Sequence, residues 1–342
     1  MSVDQTPPHA SDLLVVEDLT VRYPVHGRRQ TVKAVDGVSC SVAEGETFGL
    51  IGESGSGKST IARAVLGLVR PTAGTISFRG MRLDRLRGRE QRRMRRHYQM
   101  IFQDPHEALD PRMTVRASVA EPLRVQRRGD AGDLVALVDA LLGKAGLSAE
   151  HAQRRPHELS GGQKQRVNIA RALALDPELL VCDEAVSALD VSIQADILNL
   201  LAELQREMGL AYLFISHDIG VVSHIADRVA VMYLGVIVER GPVEGVIDSP
   251  LHPYTEALLA AEPQAVPAHC RTERPAPLKG ELPSPIDPPS GCRFRTRCPY
   301  AEDRCAAEVP PLRELMPGRW VACHFAESLD LRGRYLTTAG GR

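Results

Sequence analysis

Eight consecutive residues, Gly52-Glu53-Ser54-Gly55-Ser56-Gly57-Lys58-Ser59, set two glycines five apart and follow the second with Lys and Ser. This is the pattern of a loop that wraps nucleotide phosphates. Its glycines let successive backbone N–H groups turn inward as an anion nest, and a helix beginning at Lys58 adds roughly half a positive charge at its N-terminus. In that arrangement Lys58 reaches the β- and γ-phosphates of ATP. Ser59 ligates Mg²⁺ through its hydroxyl, and Gly52, Ser54, Gly55, Gly57 and Thr60 line the cradle.

A second run, Leu179-Leu180-Val181-Cys182-Asp183-Glu184, is an apolar strand that ends in two acids. Both carboxylates then emerge at the carboxyl edge of the sheet, where α/β proteins bind ligands. Asp183 suits orientation of Mg²⁺, and Glu184 suits the base that polarises an attacking water, a role worth about 10² to 10⁴ in rate. The plainer alternative is a pair of acids capping the next helix.

These residues need elements to hold them. Residues 14–23 and 47–51 read as strands, and residues 58–68 read as a helix that must stop before Pro71. Short apolar runs at 179–182, 212–215 and 229–232 read as buried strands separated by helical stretches at 192–208 and 220–226. The fold class is α/β, a mostly parallel sheet covered by helices. Residues 105–156 carry helical periodicity and read as a mainly helical insertion. After Gly241 the chain becomes rich in proline and reads as a linker into a small terminal module.

With 42 basic and 43 acidic residues the formal charge is -1, so no whole-protein field draws the chain to nucleic acid or anionic lipid. Eight arginines crowd residues 82–96. Lacking interleaved aromatics to stack bases, the run reads as a solvated helical face, with contact to membrane headgroups or a membrane protein as the alternative, and no nucleic acid partner is expected. The start, MSVDQTPPHASD, has no apolar core, and no later apolar run approaches the roughly 18 residues that span a bilayer. A soluble, cytoplasmic chain is the expectation.

Leu159-Ser160-Gly161-Gly162-Gln163-Lys164-Gln165-Arg166 fits an ordinary helix start, with Ser160 as N-cap and Gln163 at N3. Following the phosphate loop and preceding Asp183-Glu184, it closely resembles the signature of the ATP-binding cassette (ABC) family. That resemblance covers residues 14–245. It implies a P-loop ABC ATPase cassette with an antiparallel N-terminal β part, and a pair of cassettes sandwiching two ATP molecules. Each nucleotide is then held by one subunit's phosphate loop and the other's Ser160, Gly161, Gly162 and Gln163. The resemblance also implies adenine stacking by Tyr23, sensing of Mg²⁺ and water by Gln103, an interface loop ending at Asp190, and contact of His217 with the γ-phosphate.

Within the family the sequence is most similar to ATPase subunits of dipeptide and oligopeptide importers, a group that includes nickel-chelate uptake systems. Ala34-Val35-Asp36-Gly37-Val38-Ser39, Ala108-Leu109-Asp110-Pro111-Arg112 and His252-Pro253-Tyr254-Thr255 carry this. The implied partners are a second ABC ATPase, self or paralogue, two transmembrane permease subunits met near residues 104–119, and, through them, an extracytoplasmic solute-binding protein. The implied location is the cytoplasmic face of the cell membrane, held peripherally. The expected division is a cassette at 12–248, with a helical part at about 104–165, and an extension at 249–342.

Cys292, Cys298, Cys305 and Cys323 lie within the extension among prolines and little apolar bulk, a composition that needs a staple to fold. All-thiolate ligation suits an iron–sulfur cluster and zinc equally. The resemblance implies a 4Fe-4S cluster, with zinc or no metal as the alternatives. A soluble ABC ATPase of DNA repair would carry a long coiled coil, a translation factor two cassettes, and a non-hydrolysing regulator would lack Glu184 or His217. None of those departures is present in the sequence.

Overall fold

The computed structural model describes residues 12–25, 27, 30–126, 131–261, 280–331 and 333. Most of the proline-rich stretch, including Pro263, Pro267, Pro275, Pro277 and Cys270, lies outside the described residues.

Among the described residues the strands form two sheets. The smaller is antiparallel, in the order β2 (Thr31–Ala43), β1 (Asp12–Pro24), β4 (Ala73–Phe78), β5 (Met81–Arg82). The larger has eight strands, and its centre is parallel: β9 (Arg228–Tyr233), β3 (Thr47–Ile51), β8 (Ala211–Ser216), β7 (Leu179–Asp183) and β6 (Tyr98–Ile101). Every residue of β3, β7 and β8 is buried, as continuous apolar runs covered on both faces require. β10 (Val236–Pro242) returns antiparallel against β9. It is then joined by β12 (Arg319–Val321) and β11 (Arg313–Met316) from near the chain's end. The terminal segment is thus built into the main sheet.

Helices α1 (Lys58–Val65), α7 (Val191–Met208) and α8 (Ile219–Ile225) cover this sheet. α1 ends three residues short of the expected 68, because Gly67 adopts φ 65° and its carbonyl turns out to accept from Gln91 and Arg95. The insertion is helical as its periodicity indicates, with α3 (Pro105–Ala108), α4 (Val115–Val125), α5 (Ala131–Lys144) and α6 (Gly161–Leu173) packed on one another. Thr114 caps α4 by accepting from the Ala117 N–H. In the arginine run only residues 88–94 form an α-helix, α2 (Gly88–Met94), which buries none of its residues. α9 (Val243–Asp248), α10 (Pro253–Ala261) and α11 (Asp303–Ala307) complete the chain.

Candidate functional site

Four neighbouring parallel strands, in the order β3, β8, β7, β6, deliver the expected site residues from their carboxyl ends. Residues 52–59 follow β3, His217 follows β8, Asp183 and Glu184 close β7, and Gln103 follows β6. Side chains far apart in sequence therefore meet on one edge.

The phosphate loop needs its glycines for two separate reasons. Gly52 (φ 148°) and Gly57 (φ 108°) hold backbone conformations that side chains disfavour. A Cβ on either would lie 2.1 Å from a carbonyl oxygen, of Met232 and of Ala34 respectively. Gly57 caps α1, and the Thr60 N–H donates back to its carbonyl. Ser54 and Gly55 are exposed at the tip. Lys58 Nζ donates to the carbonyls of Gly52 and Glu53 at 2.7 and 2.9 Å, and to Ser56 Oγ at 3.3 Å. Burial lowers the Lys58 pKa, against the pull of Glu184, Asp183 and Glu53.

Ser59 Oγ donates to Asp183 Oδ1 at 2.8 Å. Burial raises the pKa of Asp183, and the Ser59 hydroxyl works against that rise. A buried carboxylate beside a hydroxyl, at the start of a helix, is an oxygen donor set that fits Mg²⁺. Next to it, Glu184 takes φ 50°, a conformation costing about 1–3 kcal/mol in a residue with a side chain. Its N–H donates to the Ile215 carbonyl and its own carbonyl accepts from the Ser187 N–H and hydroxyl, which hold the turn. The turn carries Glu184 to two partners: Gln103 Nε2 donates to Oε2 at 2.8 Å, and His217 Nδ1 lies 3.3 Å from Oε1.

Ser160–Gln163 form a capping box at the start of α6. Ser160 Oγ accepts from the Gln163 N–H at 3.3 Å, and Gln163 Oε1 accepts from the Ser160 N–H at 3.0 Å. Neither bond reaches the phosphate loop. Gly162 is required by its neighbour, since a Cβ there would lie 2.7 Å from Ile193 Cγ2 of α7. Asp190 stands exposed at the N-cap of α7 with no side-chain cap bond. Tyr23 pairs with Val32 in the β1–β2 ladder, two residues from Ala34, whose carbonyl abuts Gly57.

α6 also fastens the segment around Gln103, a role the sequence did not reveal. Asn168 Nδ2 donates to the Phe102 carbonyl at 3.4 Å. Arg171 donates to the Ala108 carbonyl and lies 5.4 Å over the Phe102 ring. Beside them a groove of about 380 Å³ is lined by Leu66, Leu68, Met100, Phe102 and Val125, of which Leu68 and Val125 are each 59% exposed.

The four clustered cysteines line one pocket of about 10 Å³, about the room one water needs. Burial pushes the Cys292 and Cys298 thiols up to about 11 and about 12. No group of three or more His, Cys, Asp or Glu side chains among the described residues could hold a metal ion as placed. The 4Fe-4S cluster expected at these positions is therefore not supported.

A phosphate loop, a serine–aspartate pair and a glutamate met by glutamine and histidine on one sheet edge define a P-loop ATPase. Residues 35–187 match the ABC transporter family, and residues 238–305 match the family of the oligopeptide/dipeptide transporter C-terminal region. The chain is 52% identical to the oligopeptide transport ATP-binding protein OppF of Salmonella typhimurium over 88% of this chain and 92% of that one. It is also 52% identical, over 91% and 89%, to a Sinorhizobium fredii protein, y4tS, to which the role of peptide ABC transporter ATP-binding protein is ascribed. Among solved structures, the dimeric ATP-binding cassette MJ0796 in a post-hydrolysis state with ADP and Pi matches with TM-score 0.62 and 30% identity, covering 67% of this chain and 98% of that one. CbiO1 of Clostridium perfringens, part of the transporter complex cbiONQ, matches with TM-score 0.61 and 30% identity, covering 69% and 90%. The chain belongs to the ABC transporter ATP-binding proteins, within the branch of peptide and oligopeptide transport, and it is an ATPase by family and by fold. No helix among the described residues is long and apolar enough to cross a membrane.

Proposed function

We propose that this chain powers import of di- and oligopeptides, binding ATP at residues 52–59 and hydrolysing it as one of a pair of cassettes attached to a membrane permease. The observation that carries the hydrolytic part is the meeting of Gln103, Glu184 and His217 beside Ser59 and Asp183. The peptide assignment rests on the match of residues 238–305 and on the names of the relatives.

In this reading the loop amides and Lys58 cradle the triphosphate, and Tyr23 stacks on adenine. Ser59 and Asp183 would hold Mg²⁺, with Gln103 alongside; the ion supplies charge neutralisation for the leaving phosphate. Glu184 orients and deprotonates water, while His217 steadies Glu184 and reaches the γ-phosphate. Ser160 and Gln163 bond to each other, and Gln163 to His151, and not to the phosphate loop, so Ser160–Gln163 serve a nucleotide on the second cassette, with Asp190 at that interface. A cassette at 12–248 and an extension at 249–342 are the working units.

The exposed groove of Leu68, Phe102 and Val125 supports a contact with a short apolar permease helix, which would hold the chain peripherally at the cytoplasmic face. Gln103 is the next residue after Phe102, so a partner seated there would move the hydrolytic site directly. Charging the groove with Leu68→Asp and Val125→Asp should abolish co-purification with the two permease subunits and cut peptide uptake by vesicles carrying the complex at least tenfold. Full uptake by that double variant, or ATP turnover by the intact complex with no peptide transport, would defeat the proposal.

A further inference from the structure

The second residue of the phosphate loop is gripped from outside the nucleotide site. Arg297 donates from Nη1 and Nη2 to Glu53 Oε2 and Oε1 at 2.7 and 3.0 Å, a two-pronged pair 244 residues apart in sequence. The Arg297 side chain is 7% exposed and its guanidinium lies 5.9 Å from the centroid of the Tyr233 ring. The Glu53 N–H donates to the Tyr254 hydroxyl at 2.8 Å. Tyr254 is itself wedged against Tyr233 and Phe294, with ring centroids at 4.6 and 5.4 Å. Leu282 approaches the loop tip, 3.8 Å from where a Cβ on Gly55 would stand.

Glu53 is an odd residue to find beside a site for a polyanion. Its backbone carbonyl accepts from Lys58 Nζ, so its carboxylate belongs to the same turn as the lysine that must meet the phosphates. Left unpaired, that carboxylate would repel the nucleotide and draw Lys58 away from it. Arg297 cancels the charge and, through its planar fork, fixes the direction in which the side chain leaves the loop. Tyr254 fixes the amide at the same residue, and the Ser56 N–H donates to the Glu53 carbonyl at 3.1 Å, so both peptide groups of Glu53 are held.

We propose that Arg297 and Tyr254 are positioning residues for the phosphate loop, so that the terminal segment sets the affinity of the cassette for ATP. This rests on the reading that residues 52–59 hold the triphosphate. It gives the segment around Cys292 and Cys298 a task in the ATPase cycle that needs no metal.

The test is a double-mutant cycle in the intact importer, measuring ATP hydrolysis and binding of a fluorescent ATP analogue. Arg297→Gln should raise KM and Kd for ATP roughly tenfold or more, the loss expected when a half-buried carboxylate left unpaired repels the triphosphate, while kcat at saturating ATP stays within about twofold. Glu53→Gln combined with Arg297→Gln should bring KM back to within about threefold of the parent, because a carboxamide neither repels phosphate nor strands a charge. Should Arg297→Gln fail to fold, Arg297→Lys takes its place, with an intermediate KM expected because the charge is kept and the fork is lost. Parental KM in the single variant, or equal KM in single and double variants, overturns the proposal. Lys58→Ala separates the two readings: unchanged ATP binding in that variant would fault the phosphate-loop assignment itself.

Discussion

Gln103 donates its side-chain amide to Glu184 Oε2 over 2.8 Å, tying the loop after β6 to the loop after β7 through one contact. Glu184 pays for that reach with a left-handed backbone, and the position of its carboxylate is thereby set from two strands. Whatever displaces the segment around Phe102 displaces the Gln103 amide from the hydrolytic carboxylate.

Glu184→Gln preserves an oxygen that accepts from Gln103 but removes the base. Phosphate release is expected to fall by about 10² to 10⁴, while nucleotide stays bound. Rapid-quench assays of bound ATP and released phosphate read both quantities, and parental turnover would remove Glu184 from the chemistry.

Gly57→Ala forces a Cβ to within 2.1 Å of the Ala34 carbonyl at φ 108°. Neither backbone can yield without breaking the register of β2 or the start of α1. The variant should lose ATP binding altogether and unfold several degrees lower, by at least about 1–3 kcal/mol. Calorimetric melting with and without ATP checks this, since ATP should no longer raise the transition temperature.

His252 is 1% exposed, and burial pushes its pKa down to about 3. Its Nδ1 accepts from the Tyr254 N–H at 3.0 Å, so the folded chain holds a neutral ring. The unfolded chain takes up a proton below about pH 6.5 while the folded one does not until about pH 3. Stability from this group is therefore full above pH 6.5 and drains away on acidification, at about 1.4 kcal/mol per pH unit. His252→Asn, which keeps an acceptor for Tyr254, should lose about 2 kcal/mol less between pH 7 and pH 5. Urea unfolding midpoints at the two pH values measure the difference, and parallel losses would disprove it.

Local chemistry made most of the cassette legible. β3 reads from its apolar run, and the loop and the Ser160–Gln163 capping box follow from short-range patterns whose physics is complete within eight residues. The stretch His252-Pro253-Tyr254-Thr255 stood out only through resemblance, and the structure supplies its physical reason. The His252 N–H donates to the buried Glu239 carboxylate, and the Tyr254 hydroxyl accepts from the phosphate loop. What stayed hidden depends on distance along the chain. Nothing local marks Arg297 as the partner of Glu53, nor Arg171 as the residue that stacks on Phe102. β12, three residues long, has no periodicity to detect and exists because β10 offers it a ladder.

That ladder has a colloidal consequence. Without β12 and β11, β10 would be the bare rim of a six-strand platform, its stretch Val238, Glu239, Arg240 an open template for another chain's strand. The terminal segment covers it through Val321 and Trp320 and leaves as the new rim only β11, four residues that include Arg313 and Glu314. The protein thus carries its own seal against sheet-to-sheet clumping, and a cassette cut off at residue 248 would be expressed with that rim unsealed.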